Sequence, residues 1–466
     1  MSSPAPRTDP SGRTPNDADD GLPARALVIG FGVTGRAVTR ALTARGHQVV
    51  VVDDHPSPDA RTAAELAAVD LIEAPTRAQL DDLVRSVDAV VPSPGVPDRH
   101  PVFAAAARAG RGVLSEFDLA GAWDDRPLLA VTGTDGKTTV TTMVTDMLVA
   151  SGRRALAVGN TDIPLVEAID RPEVDVFVVE ASSFRLGHTR RFRPAVATWL
   201  NFAPDHLDVH DSLDRYESAK ARIWADLGSG PDGGVAVANV DDPVVRRHIR
   251  PDVATVPFGL TATAGYRRQG DRLVTADDQP LVGVDELRRA LPHDVSNALA
   301  ASATALEGGA HLDGVRATLR TFEGLAHRVS RVASSGGVDW YDDSKATVPH
   351  AVLAAVAGFD SVVLIAGGRN KGVDLSELAR GRDHIRAVVA IGEAQAEVAA
   401  AFAGQRPVVG ADSMAAAVAA AADLARPGDA VVLSPGCASF DWYTSYGQRG
   451  DDFAAEVLAH LGRGRS

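Results

Sequence analysis

The sequence predicts an α/β protein of three domains: a Rossmann-like N-terminal domain, a central P-loop domain with a mostly parallel sheet, and a Rossmann-like C-terminal domain. Short apolar runs recur along the chain, most of them ending in a polar, Gly-rich turn, as parallel strands covered on both faces do. Two phosphate-type loops, at 30–35 and 133–138, fall in separate units. At 466 residues the chain is long enough for about three cores. The expected boundaries are 1–22 for a disordered leader, then 23–125, 126–324 and 325–466.

Residues 1–21 are rich in Pro, Ser and Asp and lack the apolar segment of a signal peptide, hence the expected leader. A strand at 26–29 runs into Gly30-Phe31-Gly32-Val33-Thr34-Gly35 and a helix to about Arg45. A second strand at 48–52 ends on Asp53-Asp54. This is the G-x-G-x-x-G fingerprint in strand–turn–helix context, with an acid about 20 residues on. The helix start would hold a diphosphate, and Asp53 or Asp54 would accept hydrogen bonds from a ribose or a base edge. The alternative is that these glycines serve only tight strand–helix packing. Residues 89–91 form a strand leading into Pro92-Ser93-Pro94-Gly95-Val96, a rigid turn where open α/β sheets bind ligands.

The central stretch reads as a strand at 128–131, a tight loop at 132–136 and a helix opened by Lys137-Thr138-Thr139. Val140, Met143, Val144, Met147 and Leu148 make one apolar stripe on that helix, and Gly152 ends it. Loop N–H groups and the helix start would face an anion, Lys137 adds a mobile positive charge, and the Thr138 hydroxyl can ligate Mg²⁺. Val131 stands where the longer P-loop pattern has its first Gly, leaving Gly133-x-x-Gly136-Lys137-Thr138.

Strands follow at 155–158, before Gly159-Asn160, at 176–179, capped by Glu180, and at 195–200, running into Asn201 to His206. A carboxylate at the end of that strand would repel phosphate unless a cation intervened, so Glu180 reads as a metal ligand or as a solvated acid. His206 can ligate Mg²⁺, although that ion prefers oxygen, and a lone His also serves structure. A helix at 216–224 places Lys220 in its middle, where a lysine usually faces solvent. The Arg190-Arg191-Phe192-Arg193 cluster reads as surface charge. Residues 235–239 form another strand, and an Ala-rich helix opens near His293 with Asp294 or Ser296 as its cap. In the third domain, strands at 338–341, 361–366, 387–391 and 430–433 each end in a polar turn, setting a ligand-facing edge along their carboxyl ends.

A net charge of −14 argues against nucleic acid as a partner, so any phosphate site must be a local positive pocket. The single Cys437 excludes an intramolecular disulfide and agrees with a reducing cytosol, so a cytoplasmic location is expected. No apolar run reaches the roughly 18 residues of a membrane span, so no membrane insertion is expected.

The central loop, Glu180-Ala181-Ser182-Ser183-Phe184, Asn201 to His206, the Lys220 helix, His327-Arg328, Asp343-Ser344-Lys345-Ala346-Thr347 and Ser434-Pro435-Gly436-Cys437-Ala438-Ser439 occur in one order and spacing. Together they resemble the Mur ligase family, most closely its D-glutamate-adding members, over about 26–461. The resemblance implies a UDP-substrate domain, an ATPase domain and a C-terminal domain that brings glutamate. It implies that Gly133, Thr134, Asp135, Gly136, Lys137, Thr138 and Thr139 hold ATP phosphates, that Asn297 contacts adenine, and that Arg328 and Asp343 hold the nucleotide. Mg²⁺ would sit on Thr138, Glu180, His206 and a carbamylated Lys220, with Lys137, Lys220, His206 and Glu180 as the catalytic set. Gly32, Thr34, Asp53, Asp54, Ser93, Gly95, Asn160 and Ser182 would bind UDP-N-acetylmuramoyl-L-alanine. Lys345, Thr347, Lys371, Ser439 and Tyr446 would surround D-glutamate, and a monomer is expected.

Three residues depart from the family pattern. Asp135 and Asp294 replace common asparagines, the first adding negative charge beside phosphate, and Tyr446 stands where Phe is frequent. An NAD-dependent oxidoreductase, argued from the first fingerprint alone, would leave the loop at 133–138 and the third domain without a task.

Overall fold

The computed structural model describes residues 22–161, 163–206, 209–228, 233–261 and 265–463. Apart from Leu22, the expected leader lies outside them. The chain packs as two compact units. The first runs to Arg126 and takes in two later segments, 163–172 and Phe184–Phe192; the second holds the rest.

The first unit is a five-stranded sheet of β1 (Arg25–Ile29), β2 (Gln48–Asp53), β3 (Leu71–Glu73), β4 (Ala89–Pro92) and β5 (Gly112–Val113) in the order β3-β2-β1-β4-β5. Every pairing is parallel. Strand order reverses between β1 and β4, so the turn after β1 and the Ser93 turn after β4 lie side by side at the switch point, where open α/β sheets bind ligands. Leu27, Ile29, Val52 and Val90 pack against Leu80, Val84 and Val102, each buried aliphatic side chain contributing about 1.5–3 kcal/mol.

The second unit carries two sheets. One is nine-stranded and comprises β6 (Leu128–Thr132), β7 (Ala155–Gly159), β8 (Val176–Glu180), β9 (Val196–Trp199), β10 (Val235–Asn239), β11 (Ala254–Gly259), β12 (Tyr266–Gln269), β13 (Arg272–Val274) and β14 (Pro280–Gly283). It is parallel from β7 to β12 and turns antiparallel at β13 and β14. The Lys137–Ala150 helix lays the expected stripe, Val140, Met143, Val144, Met147 and Leu148, on Leu129 and Val131. The other sheet has β15 (Ser330–Ser335), β16 (Val338–Asp342), β17 (Val362–Gly367), β18 (Ile385–Ile391), β19 (Val408–Ala411) and β20 (Ala430–Leu433) in the order β15-β16-β20-β17-β18-β19. Within β17, Val362, Leu364 and Ala366 belong to one core and Val363 and Ile365 to another, so helices cover both faces and the strand reads as one unbroken apolar run.

Several expectations need correction. The helix over Lys220 is Leu213–Ala221, followed by a 3-10 turn at Arg222–Trp224, so Lys220 lies in the last turn and is 1% exposed rather than on a solvated face. The Pro292–Glu307 helix starts on Leu291 without a side-chain cap; neither Asp294 nor Ser296 caps it, because both lie inside the helix, beyond the capping position. In the Arg190 cluster the three arginines are exposed, but Phe192 is buried and stacks on Phe117 at 4.9 Å.

Candidate active site

In the first unit the turn after β1 is fixed by side chains from two neighbouring strands. Asp53 accepts hydrogen bonds from Phe31 N at 2.7 Å and His55 N at 2.9 Å, and the Ser93 hydroxyl donates to Gly30 O at 2.7 Å. A Cβ on Gly35 would stand 1.9 Å from the Gly30 carbonyl oxygen, so the close approach of helix to turn demands glycine there. Gly32 differs: among the described residues nothing lies within 4 Å of the position its Cβ would take. Asp54 pairs with His100 Nε2 at 3.0 Å, and Gly95 is exposed. Thr34 is buried and accepts from Arg185 Nη2 at 3.0 Å, while Arg185 Nε meets Glu116 Oε1 at 2.5 Å with both residues buried. Arg185 and Glu116 carry no motif that the sequence reading recognised. Asn160 and Ser182 belong to the second unit.

The second loop is built around charge. Asn201 Oδ1 accepts from Thr134 N and Asp135 N, both at 2.9 Å, and its amide returns a bond to Asp135 O. Gly136 has φ of +82°, and a Cβ there would meet Asn297 Oδ1 at 2.6 Å, so the adenine-contact candidate packs directly on the loop. Lys137 Nζ donates to Gly133 O at 2.9 Å and Thr134 O at 2.7 Å, and Lys220 Nζ donates to the same Gly133 O at 2.7 Å. Burial, with the neighbouring Lys137 charge, holds the Lys220 amine well below the usual lysine range. Burial likewise lowers Lys137, against the attraction of Glu180, Asp135 and Asp205.

Glu180 is buried at the end of β8. One carboxylate oxygen accepts from Asn160 Nδ2 at 3.0 Å, and the other has no hydrogen-bond partner among the described residues. The Ser182 hydroxyl is buried and likewise unpartnered among them. A buried carboxylate oxygen without a donor suits a hard divalent cation, which is commonly held by one or two carboxylates with phosphate oxygens supplying the rest. Among the described residues no group of three or more His, Cys, Asp and Glu side chains converges. His206, with φ of +57°, holds its ring 3.2 Å from the Asp205 carboxylate. The Thr138 hydroxyl accepts from Arg328 Nη2 at 3.1 Å.

Asp343 accepts from Ser434 Oγ at 2.7 Å and Val329 N at 3.2 Å. Burial pushes its carboxyl up to about 7, moderated by Ser434 and Arg328. Each unexpected acid has a basic side chain beside it: Asp294 pairs with Arg289 Nη2 at 3.2 Å, and Asp135 with His350 Nδ1 at 2.6 Å. A pocket of about 80 Å³ carries Asp135, Asp294, Asn297, Arg328 and Asp343 in its wall.

A larger cavity, about 640 Å³, is lined by Thr347 and Lys371 together with Asp205, His206 and His350. Lys345, Ser439 and Tyr446 are not in its wall: Lys345 Nζ sits 3.8 Å over the Tyr446 ring, and Ser439 is buried. The two turns that carry these residues are joined by Arg449, buried and donating to Ser344 Oγ, Ser344 O and Cys437 O. The sequence reading missed Arg449, Arg289 and His350. The last two had a signal, since an acid replacing Asn near phosphate needs a cation.

Residues 24–115 match the Mur ligase MurD-like N-terminal domain, 131–305 the Mur ligase middle domain and 327–437 the Mur ligase glutamate ligase domain. The chain is 43% identical to a UDP-N-acetylmuramoylalanine–D-glutamate ligase from Frankia casuarinae, covering 95% of each chain, and 40% identical to the protein of that name from Thermobifida fusca, covering 94% of this chain and 99% of the other. In fold it is similar to a pseudomurein peptide ligase type C from Methanothermus fervidus, with a TM-score of 0.59 at 17% identity over 94% of this chain and 99% of the other. On its three matched domains and its near-full-length identity to these relatives, the chain belongs to the Mur ligase family.

Proposed function

We propose that the chain is an ATP-dependent ligase that joins D-glutamate to UDP-N-acetylmuramoyl-L-alanine through an acyl phosphate, in the cytoplasmic synthesis of peptidoglycan precursors, and that it works as a monomer. The observation that carries this reading is the convergence of Lys137 and Lys220 on Gly133 O, with the charge of Glu180 acting on Lys137. A substrate carboxylate attacking the γ-phosphate of ATP brings two anions together. At ~3.5 Å they repel by about 5 kcal/mol for an effective dielectric near 20. Lys137, swinging from its own loop carbonyls to the phosphates, and Arg328 place positive charge where that repulsion develops. The N–H groups at the start of the Lys137–Ala150 helix add to it.

Thr138, Glu180, His206 and a carbamylated Lys220 would hold Mg²⁺, which when bound neutralises charge on phosphate oxygens. The burial that depresses Lys220 favours the uncharged amine, the form that takes up CO₂, in support of the carbamate. Asn297, Arg328 and Asp343 would hold the nucleotide, the first unit's turn the UDP group, and Lys371 and Thr347 the glutamate carboxylates. Keeping water from this cleft preserves the acyl phosphate until the amine arrives.

The test offers ATP, Mg²⁺ and UDP-N-acetylmuramoyl-L-alanine with D-glutamate, L-glutamate or other amino acids and measures phosphate release. Release that depends on D-glutamate is expected. Release with L-alanine and UDP-N-acetylmuramate would move the enzyme to an earlier step and reject this assignment.

A further inference from the structure

The wall between the nucleotide pocket and the 640 Å³ cavity contains a side-chain pair that the chemistry above leaves unused. Asp135 lines the first and His350 the second, and they are joined at 2.6 Å between Asp135 Oδ2 and His350 Nδ1. The pair ties the turn after β6 to the first turn of the Pro349–Val356 helix. An ionised carboxylate only accepts, so Nδ1 carries the proton and the neutral ring presents the lone pair of Nε2. That nitrogen has no protein partner among the described residues, and His350 lines the cavity together with Thr347 and Lys371.

We propose that His350 is the base that takes a proton from the ammonium group of the incoming amino acid, and that Asp135 is the positioning residue that orients it. This rests on the proposed function, since it needs a nucleophilic amine in that cavity. An amino acid arrives as an ammonium ion and has no lone pair to attack with. One N–H proton passes to His350 Nε2. The freed pair forms the C–N bond to the acyl phosphate carbonyl, the C–O bond to phosphorus-bound oxygen breaks, and phosphate leaves with that bonding pair. The second N–H proton departs to the leaving phosphate as the tetrahedral intermediate collapses. His350 then returns its proton to solvent, to which its side chain is 41% exposed.

The surrounding charge favours such a base. The Asp135 hydrogen bond raises His350 above the ordinary histidine range against partial burial, and the charges of Asp205 and Asp242 add to it. Asp135 itself is held below the usual carboxylate range: burial opposes this, but His350, Lys137 and Arg328 outweigh it. Lys371, Asp374, Glu377 and Arg380 stand around the same cavity. With Asp205 the three acids there favour the protonated ring, whereas Lys371, Arg380 and, when it carries a proton, His206 oppose it.

The experiment compares phosphate release by the full-length enzyme with D-glutamate and with hydroxylamine, a nucleophile largely unprotonated at neutral pH that needs no base. In His350→Gln the ratio of glutamate-dependent to hydroxylamine-dependent release is expected to fall by about 100-fold or more. The limb of the parent's glutamate kcat/KM profile that rises with loss of the His350 proton should vanish with it. Asp135→Asn, which keeps the shape and loses the charge, should move that limb to lower pH, because His350 loses the interaction that raised it. A His350→Gln enzyme that loses both releases in equal proportion, or neither, overturns the assignment. A parent without D-glutamate-dependent release overturns the proposed function and this step with it, whereas an active parent with an unchanged ratio in His350→Gln overturns the base alone.

Discussion

The turn at 30–35 is held by hydrogen bonds from neutral backbone groups to Asp53 and by the hydroxyl of Ser93, whereas the turn at 133–136 is crowded by Lys137, Lys220 and the nearby Arg328 charge. Both follow a parallel strand and open a helix, so both present N–H groups to an anion. They differ in what their sequences protect. In the first, a carboxylate occupies one of the turn's own N–H groups and the decisive constraint is steric, at Gly35. In the second, the constraint is the concentration of cationic side chains inside a chain of net charge −14. A diphosphate that only has to be bound can be held by oriented backbone groups. A phosphoryl group that has to be transferred needs charge that can follow it.

Removing that charge should have the largest effect. Lys137→Ala is expected to lower ATP-dependent phosphate release by about 10²–10³-fold, the loss typical for one group stabilising developing charge, with the melting temperature close to that of the parent. Lys220→Ala should lose activity on a similar scale, but a short carboxylic acid added to the assay should restore part of it by supplying the oxygen ligand of the carbamate. Undiminished activity in Lys220→Ala would remove the carbamate from the mechanism, and product formation by Lys137→Ala would make the two turns alike.

A smaller effect concerns the cost of keeping an acid among these cations. Asp343 is raised by burial to about 7, above an unfolded value near ~3.9. The folded protein therefore binds this proton more tightly than the unfolded chain. The corresponding stability is complete below about pH 4 and is lost as pH rises through about 7. Asp343→Asn should abolish about 2–3 kcal/mol of stability decline between about pH 5 and pH 8, read from urea unfolding at the two values. An unchanged decline would mean that the folded carboxyl ionises at its ordinary pH.

The same contrast explains what the sequence could announce. Strands such as 235–239 and 430–433 were legible to the residue, because a run buried on both faces is uniformly apolar and bounded by turn residues. Strands β12 to β15, at and next to the sheet edges, were not, since Tyr266–Gln269 and Ser330–Ser335 are partly exposed and polar. Within the site, Lys137 was legible because its place at a helix start is local. Lys220 carried no local sign: its burial depends on Gly133, 87 residues away. His350 was hidden for the same reason, since its partner Asp135 lies 215 residues away, whereas Arg289 lies only five residues from Asp294; for both, the signal was the acid itself and not the partner. Asp135 stands as an acid in a loop for anions, and it is half of a carboxylate–histidine pair.

The first turn is the place for the smallest and sharpest test, because its glycines separate packing from binding. In Gly35→Ala the new Cβ would stand 1.9 Å from Gly30 O and 2.9 Å from Ser93 Oγ. The first of these is backbone in a turn that Asp53 and Ser93 already fix, so it cannot yield cheaply, and a loss of about 1–3 kcal/mol is expected. In Gly32→Ala the Cβ meets nothing within 4 Å, and φ of −73° is open to alanine. Stability should therefore stay within about 0.5 kcal/mol. Among the described residues nothing stands in the way of that methyl group, so it would probe a ligand drawn onto the helix start. A raised KM for UDP-N-acetylmuramoyl-L-alanine with unchanged kcat, the mark of lost uniform binding, would put the diphosphate against Gly32. An unchanged KM would leave this turn as packing alone, and the family fingerprint at 30–35 would then owe its glycines to Gly35 rather than to a ligand.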